Sequence, residues 1–276
     1  MGAAASPCIR LRRDSLDEAR IVSGFFHQFD AFLATSQTSA NADRLNARFA
    51  AIVEHSRTAL AGKRVLDIAS HDGRWSFAAL QAGCSHVVGI EPRADLVRNA
   101  RATFVRYGVA SDRYEFLQAD AFDALRPANV KVDTVLCLGF FYHTVRHVEL
   151  VDLISRTGAQ CVIIDTEIVP RAQTTDWETI APDDRRVFGN GLAIELFKEP
   201  VDHESMALGD SATRDGRAIV GRPSREALFF IMQHFGFEVE EYVWPTLLRS
   251  LSPDCVRQGL MDYSQGWRST FHCWRR

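Results

Sequence analysis

VLDIASHDGRWS, residues 65–76, is the stretch on which the fold of this chain turns. It starts inside KRVLDIAS (63–70), a short apolar run with a β-branched bias, bounded by Gly62 and by polar residues. That is the pattern of a strand buried on both faces. The chain then turns through polar residues and opens a helix expected from about Gly73 to Gln81, with Gly83 placed to end it. A tight strand-to-helix turn brings backbone N–H groups and a helix N-terminus up to a ligand carrying carboxylate or phosphate.

Downstream, the same alternation repeats. HVVGIE (86–91) reads as the second strand, followed by a helix over roughly 93–107 with Gly108 as its stop. RYEFLQ (113–118) and KVDTVLCL (131–138) read as the third and fourth strands. A helix over about 146–157 ends at Gly158, and CVIIDT (161–166) is the fifth strand. Strands alternating with helices of ten or more residues pair in parallel through right-handed crossovers. The expected fold is α/β, a mostly parallel, doubly wound sheet whose ligand sits beyond the carboxyl ends of the strands.

Upstream, from Asp14 to Leu60, apolar residues recur at helical spacing: Ile21, Phe25, Phe26, Phe29, Phe32, Leu33, then Leu45, Phe49, Ile52 and Val53. Two or three amphipathic helices are expected there, making residues 1–60 a helical cap on a main domain over 61–276. After the fifth strand the alternation stops. Residues 167–222 are polar, mix Asp, Arg, Gly and Pro, and contain short apolar pieces such as GLAIELF (191–197). So long a connection is expected to be a lid or acceptor-shaping insertion. PSREALFFIMQHFGF (223–237) then reads as a helix capped by Ser224, with Glu226 close behind and Gly236 ending it. FEVEEYVW (237–244) and RSTFHCW (268–274) close the sheet as an antiparallel edge pair, bringing it to seven strands.

Three acids stand at three successive strand ends: Asp67, Glu91 (24 residues later) and Asp120 in LQADAF. Side chains so placed converge on one crevice, and an acid at the second strand end can accept both ribose hydroxyls of an adenosine ligand. Each acid could also be simply a helix N-cap.

The net charge is −3, with 32 Lys and Arg against 35 Asp and Glu, so the clustered positive charge that drives nucleic-acid binding is not evident. Six cysteines lie far apart without C-x-x-C spacing, as expected for core thiols in a reducing cytoplasm. No signal-like or membrane-spanning run is seen, so no membrane partner is expected.

Residues 63–170 resemble class I S-adenosylmethionine-dependent methyltransferases, whose first motif runs acid-x-Gly-x-Gly-x-Gly. Aligned on Asp67, this chain has Ala69, His71 and Gly73 at the three glycine positions, so only the last matches. The resemblance implies that Asp67 and the 69–73 backbone, Ser70 included, hold the methionine end of S-adenosylmethionine, with Trp75 nearby. It implies that Glu91 holds the ribose, that Asp120 and the Ala121 N–H read the adenine edge, and that Leu138 and Gly139 line the sulfonium. A dehydrogenase is the rival for such a sheet, but the closing helix and antiparallel pair of 223–274 favour methyl transfer.

Methyl transfer needs alignment and, for a hydroxyl acceptor, a base. The fourth strand runs into GFFYHTVRHVE (139–149), which places Tyr142, His143 and His147 beside the expected methyl group. If 143–147 is helical, the two histidines share one face. His143 is the expected base, His147 its assistant; a structural role or metal ligation by the pair are the competing readings. The segment resembles an aromatic-Tyr-His subgroup that includes sugar O-methyltransferases, actinobacterial polysaccharide enzymes among them, and tRNA wobble-uridine carboxymethyl-transferring enzymes. The expected acceptor is a small polar molecule such as a saccharide. An RNA methyltransferase, and an S-adenosylmethionine-binding protein without chemistry, are the alternatives. Asp165 and Glu167 end the fifth strand and are candidate acceptor or Mg²⁺ ligands, or else a cap and a solvated acid. Trp177, Trp244 and Trp267 could offer flat surfaces to a sugar ring or serve the core. A second copy of the chain, as a homodimer, completes the expected partners.

Overall fold

The computed structural model describes residues 24–34, 42–169, 192–200 and 213–276. After single helical turns at Phe25–Gln28 and Ala31–Ala34, helix α1 (Ala42–Phe49) runs into a wider π-turn at Ala50–Glu54. Then come β1 (Arg64–Ile68), α2 (Arg74–Gln81), β2 (His86–Ile90), α3 (Ala94–Arg106), β3 (Tyr114–Leu117), α4 (Ala121–Leu125), β4 (Thr134–Leu138), α5 (His147–Arg156) and β5 (Cys161–Glu167). Next are β6 (Ile194–Pro200), β7 (Thr213–Arg214), β8 (Arg217–Pro223), α6 (Arg225–His234), β9 (Phe237–Glu241), α7 (Trp244–Leu248), α8 (Pro253–Gly259) and β10 (Arg268–Arg275).

The main sheet has seven strands in the order β3-β2-β1-β4-β5-β10-β9. Strands β1 to β5 are parallel, while β10 runs antiparallel to both β5 and β9. The chain leaves β1 for β2 on one side and returns to β4 on the other. This is the topological switch at which a crevice opens beyond the strand ends. Register lines those ends up: Ile68 lies opposite Ile90 and Cys137, Ile90 opposite Leu117, and Leu138 opposite Asp165.

Alternation along the strands fills both faces. Leu66, Ile68, Val88, Ile90, Val135 and Cys137 belong to the core under α5 and α6. Val65, Val87, Leu136, Leu138 and Ile163 belong to the opposite core, with Phe77, Phe104 and the N-terminal aromatics. Each such side chain contributes roughly 1.5–3 kcal/mol when fully buried. Cys84, Cys137, Cys161 and Cys273 are buried free thiols, as their apolar surroundings led one to expect.

The structure adds detail at three places. The N-terminal region is less regular than its spacing suggested, because Phe25, Phe29 and Phe32 pack against Phe77 and Tyr107 rather than along one helix stripe; Asp14, Ile21 and their neighbours lie outside the described residues. The insertion contains an antiparallel sheet in the order β6-β8-β7. Strand β6 is largely exposed, so it lacks the apolar run that betrays a buried strand; Trp177 lies outside the described residues. Finally, α7, α8 and a turn at Met261–Ser264 fill the connection between β9 and β10. They set Trp244, Leu247, Leu260 and Tyr263 against Ala47, Ala50 and Ala51. Trp244 is therefore core, whereas Trp267 is half exposed.

Candidate functional site

The turn after β1 is built by backbone bonds: the Ser70 N–H donates to the Ile90 carbonyl at 2.9 Å and the Gly73 N–H to the Ser70 carbonyl at 2.9 Å. Ala69 (φ 54°), His71 (φ 54°) and Gly73 (φ 78°) all adopt the left-handed conformation. The path therefore matches a glycine turn at all three positions, although two carry side chains at roughly 1–2 kcal/mol each. Gly73 is constrained on a second count, since a Cβ there would lie 2.9 Å from Phe116 Cζ. Ser70 Oγ and His71 Nδ1 are buried, and neither has a hydrogen-bond partner among the described residues.

Asp67 is fully buried and accepts a 2.7 Å hydrogen bond from the Ser76 hydroxyl of α2. Burial pushes its carboxyl up to about 7, the Ser76 bond only partly offsetting that, while Asp72 and Glu91 push it further. Asp72, not anticipated as a site residue, is the opposite case. Burial alone would raise it, but His71 and the Arg74 guanidinium hold it well below the carboxylate range. Arg74 grips it with two bonds of 2.8 and 2.7 Å. Glu91 reaches back to the turn, where Oε2 accepts the His71 N–H at 3.0 Å, and Arg93 donates to Oε1 through Nε at 2.7 Å. The Glu91 N–H in turn bonds the Leu117 carbonyl at 3.0 Å, tying the second strand end to the third. Asp120 caps α4, with Oδ1 accepting from the N–H groups of Phe122 and Asp123 and placing Ala121 in the first turn.

On the other side of β1, Leu138 ends β4, and Gly139 (φ 89°) donates its N–H to the Asp165 carbonyl at 2.7 Å. A 3₁₀ turn at Phe141–His143 follows, and α5 begins only at His147. The shared helical face expected for the two histidines is thus corrected: Thr144–Arg146 interrupt it. His147 is buried, its Nε2 lying 3.1 Å from the Gly221 carbonyl, and burial lowers its pKa. A neutral ring donating to a backbone carbonyl anchors β8. His143 stays accessible, its ring centroid 4.0 Å from that of Tyr142 and tilted 35° to it, with Nδ1 2.6 Å from Glu199 Oε2 on β6.

Asp165, Glu167 and Trp75 each have partners within the protein. Asp165 cannot serve a divalent cation, because Arg48 and Arg268 each reach its Oδ1 at 3.1 Å while Tyr263 and Thr270 donate to Oδ2 at 2.7 and 2.8 Å. Burial opposes its ionisation, yet the two guanidiniums hold its pKa below the ordinary value. Both oxygens of Glu167 are likewise taken, by Arg222 at 2.7 Å and Arg268 at 3.3 Å. Trp75 is buried in the aromatic cluster beside Phe26 and beneath Arg48, so it supports the turn from behind.

Register thus brings together the turn, Asp67, Glu91 and the Leu138–Gly139 end, with Tyr142 and His143 on the following turn. Sequence reading missed Asp72, Arg74, Arg93 and Glu199. The Asp-x-Arg and Glu-x-Arg spacings carry a local signal for the first three, whereas nothing local marks Glu199.

Residues 65–159 match the family described as Methyltransferase domain. No curated protein matches the chain. Among solved structures, the N-terminal domain of EvdMO1, determined in the presence of SAH and D-fucose, is 19% identical. That likeness covers 84% of this chain and 82% of that one at a TM-score of 0.53. The magnesium protoporphyrin IX methyltransferase ChlM from Synechocystis PCC 6803, with bound SAM, is 15% identical, covering 96% and 100% at a TM-score of 0.50. The PH0226 protein from Pyrococcus horikoshii OT3 is 14% identical, covering 92% and 100% at 0.52. At these identities the likeness is one of fold.

Proposed function

We propose that the chain, whose residues 65–159 match a methyltransferase domain, transfers a methyl group from S-adenosylmethionine to a hydroxyl of a small polar acceptor, a saccharide first among them. The turn fits the donor: beside a fully buried Asp67, Ser70 Oγ is buried without a hydrogen-bond partner among the described residues. A ligand's ammonium and carboxylate would satisfy such groups. S-adenosylmethionine, when bound, supplies a sulfonium methyl that is open to direct displacement. Asp67 and the Ala69–Gly73 turn would hold its methionine end, Glu91 its ribose, and Asp120 with the Ala121 N–H its adenine. Leu138 and Gly139 would line the reacting end.

The observation that carries the hydroxyl assignment is His143, a half-buried imidazole beside Tyr142 at the end of β4, with a carboxylate on its far nitrogen. A positioned base of this kind accelerates proton removal by about 10²–10⁴-fold. The saccharide class takes support from the neighbouring fold determined with SAH and D-fucose.

Calorimetry with S-adenosylmethionine and S-adenosylhomocysteine tests the donor site, and labelled-methyl transfer over a panel of saccharides and small phenols, with and without Mg²⁺, tests the acceptor. Both nucleosides are expected to bind. His143→Ala should cut transfer by about 10²-fold or more while leaving donor affinity in place. Undiminished turnover in that variant refutes the base, and no donor binding refutes the whole reading.

A further inference from the structure

Glu199 lies 56 positions from His143 in sequence, on a strand of the inserted sheet, yet its carboxylate sits 2.6 Å from Nδ1 of that ring. A carboxylate oxygen only accepts, so in the neutral ring Nδ1 must carry the proton and Nε2 the lone pair. We infer that Glu199 is the positioning residue of the site: the inserted sheet brings it in to fix the tautomer of His143 and leave Nε2 as the base. The inference rests on the methyl-transfer reading above and assigns the insertion a chemical task beyond shaping a lid.

The arm that carries Glu199 is firmly tied to the body. Glu199 lies opposite Ala218 in the β6–β8 ladder, and alternation puts Glu195, Phe197 and Glu199 on one face. Strand β8 is pinned at three points: His147 at the Gly221 carbonyl, Glu167 at Arg222 Nε (2.7 Å), and the Val169 N–H at the Pro223 carbonyl (3.0 Å). The Ser224 N–H bonds the Ala193 carbonyl at 2.8 Å, which fixes the start of β6 to the cap of α6. At Gly221 a Cβ would lie 2.8 Å from Ile194 and 3.1 Å from His147, so strand and body meet there without room for a side chain.

Of the charged and titratable groups around the ring, Tyr142 shares its turn and Glu199 faces it from β6, while Arg268 of β10 stands 5.0 Å above the Tyr142 ring. In the transfer step the acceptor oxygen bonds the methyl carbon as the C–S bond breaks, its electron pair going to sulfur. The hydroxyl proton passes to Nε2, and the resulting imidazolium keeps its Nδ1–H on the Glu199 carboxylate until solvent takes the proton.

Protein labelled with ¹⁵N-histidine reports the tautomer through long-range ¹H–¹⁵N correlations with the ring neutral, His143→Gln identifying the signals. Wild type should show His143 as the Nδ1–H form. Glu199→Ala should move most of the population to Nε2–H, and Glu199→Gln, whose amide oxygen still accepts, should restore Nδ1–H. Transfer by Glu199→Ala to an acceptor from the panel should fall about tenfold in kcat, with KM for S-adenosylmethionine within twofold of wild type. An Nε2–H ring in wild type, or one unmoved in Glu199→Ala, overturns the assignment. Absence of S-adenosylmethionine binding by wild type would instead sink the methyl-transfer reading and leave the tautomer result standing.

Discussion

Asp67 is a carboxyl that the fold buries with a single strong donor, Ser76, and with two further acids nearby. The unfolded chain ionises it near the ordinary 3.8, the folded chain only at about 7. Below that window both states hold the proton. Within it only the folded state does, so stability falls as pH rises from 3.8 towards 7, by about 4 kcal/mol in all, and is flat above. Asp67→Asn removes the charge and keeps an oxygen for Ser76. The ligand-free variant should therefore be more stable than wild type by a few kcal/mol at about pH 8 and scarcely different at about pH 4. Urea denaturation at the two pH values checks this. The same variant should bind S-adenosylmethionine at least tenfold more weakly, because the donor's ammonium would lose the charge of the Asp67 carboxylate.

At the scale of elements, the turn between β1 and α2 shows backbone conformation outlasting residue identity. Ala69, His71 and Gly73 share positive φ, so the path that suits a ligand is kept where glycine is not. Ala69→Gly should be neutral to stabilising by up to about 1 kcal/mol, since it releases strain at some cost in chain entropy. Gly73→Ala should cost roughly 2–4 kcal/mol, from the same strain plus the collision with Phe116. Urea midpoints decide between them: equal effects at the two positions would refute the account. This turn also shows how far the chain could be read in advance. Its strand, its helix and the acid at each strand end follow from apolar runs and glycine stops. The interruption at Thr144–Arg146 does not, because the segment pairs Thr144 Oγ1 with the Arg146 N–H, a local bond that competes with helix. His143 and His147 therefore fall in separate elements, a 3₁₀ turn and α5.

Over the whole molecule, α1, β5, the inserted sheet and β10 meet at one ionic cluster. Arg48 and Arg268 converge on Asp165, Arg268 also reaches Asp262 at 3.1 Å and Glu167 at 3.3 Å, and Arg44 holds Asp262 with two bonds of 2.7 Å. Such a cluster is costly to desolvate and dangerous to break, since removing one partner strands a buried charge. Arg268→Gln should destabilise the protein by about 3–5 kcal/mol in urea unfolding, whereas Arg257→Gln, in an exposed pair with Asp254, should change stability by less than about 1 kcal/mol. A small loss at Arg268 would show that Asp165 had lost its charge.

What the sequence determined on its own was what is written in local periodicity: the alternation of β1 to β5 with their helices, the doubly wound sheet, its closing antiparallel pair, and the row of acids at the strand ends. What only the tertiary structure decided was how those side chains are spent. Asp165 and Glu167 look like free carboxylates until Arg48, Arg222 and Arg268 arrive from remote parts of the chain, and Glu199 looks like a solvated charge until its strand is laid beside His143. Periodicity records which face of an element is buried. The partner of a charge is set by packing between segments tens or hundreds of residues apart, and no short-range pattern carries it.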